Sequence, residues 1–117
     1  MTVNKLKGET LIDLAGKQYK ARLTMNSILQ IESATGLSII KLTQQMSEGD
    51  VMMNHVLEIL TPALRGGGND LQKEDVISLV EQSGIVAATR AVATLLASTL
   101  TEKSEDKAQE GKPQEGD

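Results

Sequence analysis

The sequence predicts an α+β fold, mostly α, in which an N-terminal β-hairpin packs on about five helices. Three observations lead there. A run of period-two alternation lies beside a turn glycine near the N-terminus, and apolar stripes at helical spacing follow it, each set off by capping residues. The last 16 residues, "EKSEDKAQEGKPQEGD", contain no Leu, Ile, Val or aromatic residue and hold six acids against three bases. Such a segment cannot offset the entropy of ordering itself, so residues 1–101 are expected to form one domain and residues 102–117 a disordered acidic tail.

The hairpin is read from "ETLIDLAGKQYKARLT", with Gly16 at the turn. In its second run Tyr19, Ala21 and Leu23 share one face, while Lys20, Arg22 and Thr24 share the other. A lone hairpin is marginal in water, so its apolar face requires helices. Thr24 is a suitable N-cap for the helix "MNSILQIESAT", and Gly36 can end it in a left-handed conformation. Ser38 opens a second helix reaching about Ser47. Asp50 is expected to cap the third, whose Met53, Val56, Leu57, Leu60 and Leu64 form one stripe. Pro62 interrupts that stripe and predicts a kink or a new turn begun at Thr61. A fourth helix starts near Gln72, with Glu74 and Asp75 at the positive end of its dipole and Val76, Leu79 and Val80 as its buried edge. After Gly84 comes "IVAATRAVATLLASTL", apolar nearly all round, with Arg90 its only charge. Arg90 is expected at a solvent-facing edge, opposite buried Val92, Leu95 and Leu96. A 16-residue helix spans about 24 Å, short of a bilayer, and no membrane partner is expected.

Composition restricts the functional classes. Of 117 residues, Tyr19 is the only aromatic, so aliphatic residues and methionine must fill the core. Without cysteine there is no disulfide, no thiolate nucleophile and no Cys-ligated metal. Of the net charge of −4, the tail carries −3, which leaves a nearly neutral body that is a poor match for nucleic acid.

"PALRGGGNDLQKEDV" poses the sharpest chemical question, because glycine loops ahead of helices often hold phosphate. Neither phosphate pattern fits. No Gly-Lys pair is followed by Ser or Thr, and the third glycine of a dinucleotide fingerprint would fall at Leu71. Gly66, Gly67 and Gly68 are therefore expected to be a structural hinge that ends a helix. The single histidine, His55, has no second histidine at metal-ligand spacing and no nucleophile motif to serve. The carboxylates suggest capping and solubility, so no catalytic, cofactor-binding or metal residue is expected and the chain is not expected to be an enzyme. Methionine fills gaps and also makes adaptable contact surfaces, so Met46, Met52 and Met53 are the expected partner-binding residues.

The order of these features resembles a known family. "GETLIDLAGKQYKARLTMNSILQIESATGLSIIKL", then "LRGGG", then a helix with acids in its first turn, then "GIVAATRAVATLLASTL", resembles the gene-transfer-agent-like phage tail assembly chaperones over roughly residues 8–100. Its markers include Glu32 and Leu64 to Gly68, and it departs from the pattern at Pro62. The resemblance implies a non-enzymatic assembly factor in the cytoplasm of a bacterial host. Such a factor binds the tape measure protein and tail tube subunits, can self-associate, and is absent from the mature virion. The alternative is a structural tail tube or tail terminator subunit retained in the virion. The family also implies a longer form made by ribosomal slippage near the end of the gene, for which the codons of a Gly-Lys pair such as Gly111-Lys112 can provide the repeated nucleotides; the alternative is a plain solubilising tail.

Overall fold

The computed structural model describes residues 8–111, with side chains through Lys103. Two antiparallel strands, β1 (Thr10–Leu14) and β2 (Lys17–Ala21), form the expected hairpin, with Leu14 paired to Lys17 and Thr10 to Ala21. The two-residue loop between them, Ala15 and Gly16, has φ of 52° and 79°. Positive φ at both positions makes a primed turn, whose twist matches that of the strands. Gly16 adopts it freely, but Ala15 places a Cβ in the left-handed region. The Ala15 N–H donates to Ser83 Oγ at 2.6 Å, which ties the turn to the end of a distant helix.

Five helices follow, as the sequence predicts. In α1 (Met25–Thr35) the Thr24 hydroxyl accepts from Ser27 N–H at 3.1 Å, and Gly36 closes the helix at φ 76°. Ser38 caps α2 (Ile39–Glu48) by accepting from Lys41 N–H. Glu32 on α1 adds a second cap, since its carboxylate accepts from Ile39 N–H at 2.8 Å. Helix α3 (Met53–Gly66) corrects two expectations. It starts after Met52 rather than at Asp50, because the Asp50 N–H donates back to Gln45 O and belongs to the end of α2. It also continues through Pro62 as one helix, so no new turn begins at Thr61. The donor that proline lacks would have served the Glu58 carbonyl, and this stretch borders a groove of about 200 Å³ with Thr61, Arg65 and Lys73, where water can reach it. At the start of α4 (Lys73–Ser83), Gln72 N–H donates to the Asp75 carboxylate at 2.8 Å.

The last helix, α5 (Ile85–Gly111), is the centre of the core. It packs against β1, α2, α3 and α4. Ala88, Ala91, Val92, Leu95, Leu96 and Thr99 are buried along one stripe, while Arg90 is exposed as expected. Helix α5 passes the boundary drawn from composition at Glu102; the rest of the acidic tail, residues 112–117, lies outside the described residues. The helix also exceeds the 16 residues read from sequence. By length and composition alone Ile85–Lys103 is long and apolar enough to cross a membrane. Its continuous buried stripe is the pattern of a core helix in a globular fold.

Below α5 lies the second layer. Val56, Ile59, Leu60, Ala63 and Leu64 of α3 are buried, and α3 touches α1, α4 and β2. The hairpin presents Ile12, Leu14 and Ala21 to the same core, joined by Leu23 just beyond it. Aliphatic side chains thus fill the interior, with Tyr19 only half-buried at its margin.

Candidate functional site

The glycine segment ends α3 and is held against the hairpin by hydrogen bonds. Gly67 N–H donates to Ala63 O and Leu64 O, Gly68 N–H to Arg65 O, and Asn69 N–H to Leu64 O. These amides serve the carbonyl end of a helix, where the dipole is negative and repels phosphate. Only Gly68 has a positive φ, 97°. Gly66 and Gly67 are needed for a different reason, close approach. A Cβ on Gly66 would overlap the Arg22 carbonyl oxygen, and one on Gly67 would overlap that of Lys20 and come within 2.9 Å of Ala21 Cα. Two hydrogen bonds hold this contact: Arg22 N–H to Ala63 O at 2.9 Å and Asn69 Nδ2 to Lys20 O at 2.8 Å. Together they seal part of the outer edge of β2.

His55 is half-buried on α3, and its Nδ1 has no hydrogen-bond partner among the described residues. No group of three or more His, Cys, Asp or Glu side chains that could hold a metal ion occurs among the described residues. The carboxylates whose contacts are clear are caps or surface partners: Glu32 and Asp75 cap helices, and Glu58 lies 3.6 Å from Lys73.

The three methionines separate by burial. Met46 is 3% exposed and fills a gap in the core, which corrects its expected place as an exposed contact to that of a core residue whose edge reaches the second groove. Met52 is 61% exposed just before α3. Met53 is half-buried and lies where two grooves meet. The first groove, about 520 Å³, is lined by Met53, Leu57, Ile77, Val80, Glu81, Gly84 and Ile85. The second, about 440 Å³, takes in Met46, Glu48, Val51, Met53, Ile85, Val86 and Arg90. Ile85 and Met53 are common to both, so the two form one apolar surface across the start of α5 and the start of α3.

Ile85 and Val86 stand 61% and 68% exposed on this surface. The sequence marks Arg90 as the exposed edge of the last helix and Val92, Leu95 and Leu96 as its buried side, and leaves its first turn unassigned. The signal was local: Ile85 and Val86 are two large apolar residues directly after a glycine, in the first turn and ahead of the buried stripe that begins at Ala88. Isolated exposed apolar residues are ordinary, but a contiguous grooved patch is what interaction sites present.

No curated protein and no solved structure is a match to this chain. Residues 7–102, which take in the hairpin, the glycine segment and the buried part of α5, match the model of the family described as "Phage tail tube protein, GTA-gp10", and the chain belongs to that gene-transfer-agent-like phage tail family.

Proposed function

We propose that this phage tail protein is an assembly chaperone that holds apolar segments of the tape measure protein and of tail tube subunits while the tail is built, and then leaves. The observation that carries the reading is the open apolar surface centred on Met53 and Ile85, on a small helical body. It has the adaptable, methionine-lined character of a surface that accepts varied partners. In this reading the chain is no enzyme, needs no cofactor and works in the cytoplasm of the bacterial host.

A second reading is favoured by the family's description, which names a tail tube protein: the chain is a structural subunit retained in the virion. That description backs retention more directly than it backs a chaperone. The fold weighs the other way. Rings of stacked subunits are commonly built on broad β-sheets, and here the only sheet among the described residues has two strands, with part of its β2 edge occupied by α3 and Asn69.

Co-expression tests the proposal. Tape measure protein from the same phage should become soluble with the parent chain and stay insoluble with Val86→Asp, a change at an exposed site that spares the core. Equal rescue by both forms, or rescue by neither, would contradict it.

A further inference from the structure

The groove's chemistry narrows what it can hold. Its floor is Met53, Leu57, Val80 and Ile85, and each half carries one acid at its lining, Glu81 in the first and Glu48 in the second. Neither acid forms an ion pair among the described residues. Arg90 lies in the second half with Glu48. Exposed Asp50 adds a further negative charge beside Val51. With Glu48, Glu81 and nearby Asp50 against the one base Arg90, the apolar surface is net acidic, which is complementary to a helix with an apolar stripe flanked by bases.

We propose that the occupant is an amphipathic α-helix of a partner protein, with lysine or arginine beside its apolar stripe, and that Glu48 and Glu81 select it. The proposal rests on the reading of this groove as the docking site and adds the charge of the partner. Burying the stripe supplies the binding, and the two acids reject helices flanked by like charge. Methionine at the junction tolerates different apolar side chains along the stripe, so charge discriminates where shape does not.

Two designed peptides test it, each with leucines at i, i+3, i+4 and i+7, one flanked by lysines and the other by glutamates. Binding of fluorescently labelled peptide to the full chain is measured by anisotropy. The lysine peptide should bind at least about tenfold more tightly than the glutamate peptide, with a preference that weakens in salt. Glu48→Lys combined with Glu81→Lys should invert the preference, and both positions lie on the surface of the fold. Val86→Asp should weaken both peptides by disrupting the apolar surface, and the glutamate peptide further because the new carboxylate repels it. If Val86→Asp weakens both but the double lysine variant leaves the preference unchanged, the groove stands as a docking site and the charge proposal is overturned. If Val86→Asp changes neither, the docking reading fails as well. Binding of neither peptide overturns the proposal, as does a dimer of the chain that Val86→Asp dissociates, which would assign the groove to a second copy.

Discussion

Replacing Gly67 with alanine separates two explanations of the glycine segment. If the three glycines serve only to permit positive φ, Gly67→Ala should be harmless, because φ there is −85°. Reduced freedom of the unfolded chain would even favour alanine by about 0.4–1 kcal/mol. The structure predicts a large loss. The new Cβ would overlap the Lys20 carbonyl oxygen and crowd Ala21 Cα, which are backbone atoms paired to β1 and unable to rotate aside. Helix α3 must then move off β2. Overpacking of this kind costs about 1–3 kcal/mol. Retreat also weakens the Arg22–Ala63 and Asn69–Lys20 hydrogen bonds, each worth about 1 kcal/mol net. The expected total is about 3 kcal/mol, with a ceiling near 5. Gly68→Ala is the control. Nothing lies within 4 Å of its added Cβ, so only its φ of 97° is strained, at about 1–2 kcal/mol. Urea unfolding followed by far-UV circular dichroism measures both variants, since most of the signal is helical. A Gly67→Ala loss smaller than that of Gly68→Ala would refute the close-approach argument.

Other substitutions probe separate parts of the account. Leu96→Ala, at a fully buried site on α5, should cost about 2–5 kcal/mol, while Arg90→Ala should stay within about 0.5 kcal/mol of the parent in the same unfolding assay. Ala15→Gly should raise the melting temperature, because relief of left-handed strain of about 1–2 kcal/mol exceeds the entropic cost of glycine, which is about 0.5–1 kcal/mol; a lower melting temperature would show that the Ser83 bond already absorbs the strain. Asn69→Ala removes side-chain bonds to Lys20 O and Leu64 O and should cost about 1–3 kcal/mol, read as a shift in the urea midpoint at unchanged slope.

Much of the fold was legible because it is locally encoded. Thr24, Gly36, Ser38 and Gly84 act within a turn of their own positions, and the apolar stripes of α3 and α5 need only the helical period to be read. What escaped depends on contacts distant in sequence or on competition between neighbours. Asp50 has the side chain of a cap, but the left-handed Gly49 directs its backbone N–H to Gln45, so α3 opens at the next residues. Pro62 breaks a helix in general, yet α3 remains whole beside a groove where solvent can replace the lost donor. The need for Gly66 and Gly67 arises from β2, more than 40 positions earlier in the chain. One clue was present: a helix terminator requires a single glycine, and the surplus two indicated a close backbone approach.

The candidate site was only partly legible for the same reason. Methionine as a type pointed to the neighbourhood of the groove, but burial separates core Met46 from exposed Met52, and burial depends on how α2 packs on α5. Ile85, Val86, Glu48 and Glu81 come from different elements and meet only in the folded chain.

Whether the chain leaves the tail or stays in it is decided by the protein composition of purified tails. Virions or gene-transfer particles produced with the native gene would be purified and their proteins quantified by mass spectrometry against the major tube subunit. An assembly chaperone predicts that this chain is abundant in producing cells and missing from finished particles. Its presence in the tails at a fixed stoichiometry to the tube would contradict that claim and establish it as a structural subunit.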